Sequence, residues 1–167
     1  ARGNRGYPDL TDGDWLHGGA PENVVQTITH GRQAVMPAMA TIIGGDAGVE
    51  DVTNYVLSLS GRDHDAAAAA RGSAQFAAIC SACHQADGRG NPLVGAPNLT
   101  DDVWLHGGKV EDIRRIVGHG VANQMPAHEA ILTPEQIHLV ATYVLSLSSQ
   151  GTAGAGAEDE HEASEVG

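Results

Sequence analysis

The residues able to do chemistry in this chain are Cys80-Ser81-Ala82-Cys83-His84. Two thiols separated by two residues, with a histidine directly after the second, form the arrangement that attaches a c-type haem. Cysteines one helical turn apart can each add to one of the two vinyl groups on a single porphyrin edge. The histidine is then placed under the iron as its proximal ligand. These are the only cysteines in 167 residues, so nothing competes for them. A zinc site needs four ligands, usually from two such pairs, and no second pair exists. A disulfide across two residues would be strained and would close too short a loop to stabilise much. A thioredoxin-like dithiol needs a βαβ context, whereas these flanks are helical and rich in glycine and proline.

The elements that must position this motif follow from the local pattern. Ala66 to Ile79 is alanine-rich, strongly helix-forming, and delivers Cys80. Gln85 to Gly108 is a long glycine-rich loop, a length uncommon in a compact domain unless it serves a function, and wrapping a porphyrin edge would be one. Val110 to Val117 predicts a short helix ended by Gly118 and Gly120. Thr133-Pro134-Glu135-Gln136 is a capping-box start, after which Ile137, Val140, Val144 and Leu147 line one face. Upstream, Pro21 to Thr29 and Asp46 to Ser60 also read as helices, the second with Val49, Val52, Val56 and Leu59 at helical spacing. Residues 1–20 and 31–45 read as loop. No stretch reads as a strand, so the class is all-α.

Much of the chain is written twice. Pro8-Asp9-Leu10-Thr11-Asp12 and Trp15-Leu16-His17-Gly18-Gly19 return, displaced by 89, as Pro97-Asn98-Leu99-Thr100-Asp101 and Trp104-Leu105-His106-Gly107-Gly108. His30-Gly31 and Met36-Pro37 return at the same displacement as His119-Gly120 and Met125-Pro126, and Tyr55 to Ser60 returns, displaced by 88, as Tyr143 to Ser148. The first copy starts just downstream of where its own CxxCH should lie. The expected organisation is therefore a first domain over 1–60 truncated before its CxxCH, a linker over 61–65 and a second, complete domain over 66–148. An acidic disordered tail over 149–167 follows. Without their usual partners, Val24, Ile28, Val52 and Val56 would leave residues 1–60 loosely structured.

Composition narrows the function. Aromatic residues make up 4% of the chain, thin for a core that no cofactor helps to fill. The net charge is −12 with a single lysine among nine basic residues, which excludes nucleic acid as a natural partner. Five acids, Glu158, Asp159, Glu160, Glu162 and Glu165, fall in the last ten residues. No apolar run approaches a membrane span and no signal peptide is visible, though the chain opens at Ala1 like the middle of a domain. No catalytic constellation accompanies the haem motif, so the chain by itself is not expected to be an enzyme.

A helix ending in CxxCH, a Pro-Asn-Leu after it, a Met-Pro in a later loop and a closing helix with Tyr-Val is the layout of class I cytochrome c domains. In tandem, and bearing Leu-Thr-Asp-x-x-Trp-Leu-x-Gly-Gly in both copies, they resemble the dihaem cytochrome c subunit, subunit III, of cbb3-type cytochrome c oxidases over about residues 1–148. The resemblance implies an electron-transfer subunit of the respiratory chain, passing electrons from a small donor cytochrome towards the oxygen-reducing catalytic subunit, beside a monohaem cytochrome c subunit. It also implies an N-terminal membrane anchor and two haem domains on the periplasmic side. This chain departs from it in lacking the anchor and the first CxxCH. One haem c is therefore expected here, and two in a full-length chain. The rival readings are another periplasmic dihaem cytochrome, soluble or attached to a dehydrogenase, and a CxxC thiol-disulfide oxidoreductase.

The resemblance also supplies ligands. Class I domains take an axial sulfur from the loop where Met125 stands, 41 residues after His84, and a thioether favours ferrous iron and raises the potential. Met36 occupies the equivalent loop of the first copy, which leaves ligation within a copy and ligation across copies both open. Met39 is read as packing, since His128 stands in its place in the second copy. His106 and His119 could give bis-histidine iron, but they recur in copies that also keep their methionine and are read as loop or propionate-side residues. Pro97, in the Pro-Asn-Leu position, is the expected carbonyl acceptor for the second ring nitrogen of His84. Trp104 is a candidate donor to a haem propionate through its indole N–H.

Overall fold

A computed structural model describes residues 1–155. Six α-helices and two short strands follow in the order α1 (Pro21–His30), β1 (Arg32–Met36), α2 (Gly45–Leu59), α3 (Ala66–Gln75), α4 (Ser81–His84), α5 (Val110–His119), β2 (Val121–Met125) and α6 (Pro134–Ala155). A π-helical turn, Phe76–Cys80, joins α3 to α4, so one continuous rod runs from the alanines to the histidine. The helices start where their sequences say they should. Pro21 opens α1 with Glu22 in its first turn. At α6 the Thr133 N–H donates to Gln136 Oε1 at 2.9 Å while the Gln136 N–H reaches Thr133 Oγ1 at 3.4 Å, which is the capping box.

The all-α expectation needs correcting in one respect. β1 and β2 pair with each other in a two-stranded sheet. Each is five residues long and each follows the glycine that ends a helix, Gly31 or Gly120. Such brief segments carry too little alternation to be told from loop, and their partners lie some 89 residues apart in sequence. The closing helix also continues to Ala155, beyond the expected boundary at 148; the rest of the expected tail, 156–167, lies outside the described residues.

Two compact units form, and they cut across the repeat. One comprises Ala1–Arg32 together with the chain from Pro126 onward; the other is Gln33–Met125. The second copy's closing helix α6 thus packs on the first copy's α1, burying Val24 and Ile28 against Ile137 and Ala141, with Trp15 and Leu132 alongside. In the other unit the first copy's closing helix α2 packs on α3 and α5, in a core of Val49, Val52, Val56, Phe76, Leu99, Ile113 and Val117. Val24, Ile28, Val52 and Val56 are all buried, against the expectation that residues 1–60 are loosely structured. Each has the partner its own copy lacks, supplied by the other copy.

Candidate functional site

The CxxCH rod is held in the Gln33–Met125 unit by α2. Asp65 caps α3, accepting from the Ala67 and Ala68 N–H groups at 2.8 and 2.9 Å, and its own N–H donates to the buried Asn54 Oδ1 at 2.8 Å. Gly72 lets the two helices touch: a Cβ there would collide with the Asp51 carbonyl. Arg71 closes a two-pronged ion pair on the Asp51 carboxylate, 2.6 Å from Nη2 to Oδ1 and 3.0 Å from Nε to Oδ2. Below it Phe76, 1% exposed, packs its ring 5.1 Å from Tyr55 and 6.5 Å from His84. Phe76 opens the π turn that ends at Cys80, an insertion of a kind that recurs at functional sites.

His84 is buried, and its Nδ1 lies 3.2 Å from the Pro97 carbonyl. A carbonyl only accepts, so Nδ1 carries the proton and Nε2 keeps its lone pair for a metal. Burial lowers the pKa of His84, partly opposed by the Pro97 bond, and so favours the neutral imidazole that ligation needs. The carbonyl is placed by the glycine-rich loop folding back on itself. Gly90 N–H donates to His84 O at 2.9 Å, Asn91 N–H to Ala96 O at 2.9 Å and Leu99 N–H to Gly88 O at 2.8 Å. Cys80 is half-buried and Cys83 exposed, both free thiols. Burial, and to a smaller extent Cys83, pushes the Cys80 thiol up in pKa, opposite to the lowered value that activates a redox dithiol.

The expected site residues separate in space. Cys80, Trp104 and Met36 all pack against the one core cluster that also holds Leu99, Ile113 and Val117. Met39 packs there too, as expected of it. Met125 is 37% exposed and belongs to neither core cluster. His106 Nε2 accepts from the Asn123 side chain at 2.8 Å. His119 sits in the last turn of α5 and lines a hollow of about 480 Å³ with Glu50, Arg114 and Arg115, which contains none of the CxxCH residues. Among the described residues no cluster of three or more His, Cys, Asp or Glu side chains could hold a bare metal ion. No described helix is long and apolar enough to cross a membrane.

One residue of the site escaped the sequence reading. Arg62, counted as linker, lies with its guanidinium carbon 5.6 Å from the centre of the Trp104 ring, and its Nη1 is buried with no hydrogen-bond partner. A buried cationic donor without an acceptor is costly unless an anion meets it. The available signal was a break in the repeat, since Gln150 stands at the corresponding place in the second copy.

Comparison with known proteins agrees with this geometry. Residues 67–144 match the family described as cytochrome c oxidase, cbb3-type, subunit III. The cbb3-type cytochrome c oxidase subunit CcoP of Rubrivivax gelatinosus is 49% identical over 93% of this chain and 51% of its own length. CcoP of Cereibacter sphaeroides is 43% identical over 88% of this chain and 54% of its own, and subunit FixP of Bradyrhizobium sp. (strain ORS 278) 41% identical over 88% and 54%. The chain spans about half the length of the curated relatives it matches. From the CxxCH rod to the closing helices, the chain is similar to subunit III of the cbb3-type cytochrome c oxidases.

Proposed function

We propose that this chain is the haem c-bearing, electron-transferring part of a cbb3-type oxidase subunit. In this reading two class I cytochrome c domains stand in tandem on the periplasmic side of a bacterial membrane. Electrons come from a small donor cytochrome and leave towards the oxygen-reducing subunit, beside a monohaem cytochrome c subunit, and the chain is not itself the catalyst. The observation that carries the reading is the buried His84 with Nδ1 on the Pro97 carbonyl, one residue beyond a helical pair of free cysteines.

The residues present fit a haem c. Cys80 and Cys83 would hold it by thioether bonds, His84 would ligate the iron, and the Arg62 guanidinium, left without an acceptor beside Trp104, would meet a propionate. When bound, the haem supplies one-electron transfer between ferric and ferrous iron. The apolar wall of Phe76, Leu99, Ile113 and Val117 excludes water, which keeps reorganisation on electron transfer small and favours the less charged ferrous state. Acid-acetone extraction of the exported protein tests the covalent claim. The Soret absorbance should stay with the chain, and haem recovered in the solvent would overturn it. A colourless protein would instead return the CxxC pair to thiol chemistry.

A further inference from the structure

α2 ends in a way that α6 does not. The Gly61 N–H donates to Ser58 O at 3.1 Å and the Arg62 N–H to Leu57 O at 3.0 Å, with Gly61 at a φ of +68°. That pair of bonds is the Schellman stop, in which a glycine in the left-handed region closes the helix and brings the next residue back beside its last turn. The residue so placed is Arg62. Its carbonyl accepts from His64 Nδ1 at 2.7 Å, so its backbone is held on both sides. In the second copy Ser149-Gln150 stands in place of Gly61-Arg62, and α6 runs on through these residues to Ala155.

The cap leaves the Arg62 guanidinium carbon 5.6 Å from the centre of the Trp104 ring, with Nη1 buried and without an acceptor. An aromatic face attracts a cation but leaves its N–H groups unsatisfied. The nearby acids do not fill that need. Asp65 is occupied at the cap of α3, Asp63 is exposed, and none of the ion pairs among the described residues includes Arg62. A guanidinium cannot shed its proton to escape the cost of burial, so the arrangement calls for an anion from outside the chain. Trp104 packs on the same core cluster as Cys80, which puts this unmet donor on the wall of the haem site.

We propose that Arg62 sets the midpoint potential of the haem in this unit, by donating to a propionate carboxylate and holding a fixed positive charge beside the porphyrin. The inference rests on the haem c reading above and adds to it which residue biases the iron towards reduction. Ferric iron carries one more positive charge than ferrous iron, so a neighbouring cation disfavours the ferric form more. Without Arg62 the propionate would stand as an unpaired anion and favour the ferric form instead. Gln150 has no charge to offer, so this bias is written into one copy of the repeat and not the other.

The test uses the haem-loaded chain with its full sequence, in redox titrations followed at the Soret band. Arg62→Gln, which keeps a donor without the charge, should lower the midpoint potential and shift the propionate bending mode in the resonance Raman spectrum. Arg62→Lys, which keeps the charge, should hold the potential close to that of the unsubstituted protein. If Arg62→Gln fails to mature, the ferrous unsubstituted protein decides the matter without a variant: the Arg62 side-chain N–H protons should give nuclear Overhauser effects to the propionate methylene protons. An unchanged potential in Arg62→Gln, equal losses in the Gln and Lys variants, or absence of those effects overturns the inference but leaves haem c in place. A potential lowered by Trp104→Phe and not by Arg62→Gln would also overturn it, by assigning the carboxylate to the indole N–H. Absence of any Soret band in the unsubstituted protein would sink the haem reading itself.

Discussion

α2 and α6 are the same helix written twice, and they bury different faces. Val49 and Ile137 correspond at the displacement of 88, and both are buried. From the next turn on, the copies part. Val52 is 1% exposed where Val140 is 38% exposed, and Tyr55 packs on Phe76 where Tyr143 is 64% exposed. Asp51 holds Arg71, and at its counterpart stands the exposed Leu139. The face carrying Val52 and Tyr55 is the one that α3 covers through Gly72; among the described residues nothing equivalent to α3 lies on Val140 and Tyr143. A closing helix thus carries two apolar faces, one for the short helix of its unit and one for the rod that bears the CxxCH. Burial of the second face marks the unit that contains Cys80, Cys83 and His84.

That contrast can be broken from the rod side first. Phe76→Ala removes the ring that touches both Tyr55 and His84, and should cost about 3–5 kcal/mol in the Gln33–Met125 unit. Each unit has one tryptophan, Trp15 or Trp104, so denaturant unfolding in Trp15→Phe and Trp104→Phe backgrounds reads the two units separately. The Trp15 transition should stay where it was. Equal shifts in both would show that the units unfold as one.

A matched pair sharpens the comparison. Val52→Ala should destabilise by about 2 kcal/mol, from two methyl groups lost in a closed core. Val140→Ala at the corresponding place should stay within about 0.5 kcal/mol. Like losses at both positions would mean that α6 buries the same face as α2. A smaller effect of opposite sign is expected next door. Thr53 is fully buried and its hydroxyl has no hydrogen-bond partner, whereas the other copy places Ala141 there. Thr53→Val keeps the shape, removes an unsatisfied group and should raise the denaturation midpoint by an amount worth about 1 kcal/mol.

The helices and the attachment motif were legible because their signals are local. Pro21, the Thr133 capping box and the spacing of Val49, Val52 and Val56 each act within a turn or two, and Cys80, Cys83 and His84 lie on one short stretch. The Pro97 carbonyl was legible only through the family layout, since Pro97 lies thirteen positions beyond His84 along the loop. What could not be read was which copy completes which unit. Both closing helices carry nearly the same apolar residues, so periodicity cannot say whether α3 receives α2 or α6. The decision lies in particulars of packing: Asp51 opposite Arg71, Asn54 opposite Asp65, and Gly72 against the Asp51 backbone. At the corresponding sites α6 carries Leu139 and Thr142, which offer neither the carboxylate nor the amide. The pairing of β1 with β2 escaped for the same reason, being set by the exchange and not by either strand.

The smallest expected effect tests that packing through its electrostatics. Asp65 accepts hydrogen bonds from the backbone N–H groups of Ala68 and Ala67, and these hold its carboxyl below the ordinary aspartate value. A carboxyl whose pKa is depressed on folding contributes stability that is fully present above its unfolded value near 3.9 and is lost as pH falls through the folded value. The cap also ties α3 to α2 through Asn54, so its protonation should loosen the rod at its start and leave α6 on α1 untouched. Asp65→Asn keeps an acceptor for the Ala67 and Ala68 N–H groups without the charge. The variant should therefore lose a few degrees of Tm at neutral pH and converge with the unsubstituted protein below the folded pKa, where both caps are neutral. The shift should appear in the Trp104 signal only. A Tm difference that persists unchanged into strong acid would mean that the charge on Asp65 is not what the cap contributes.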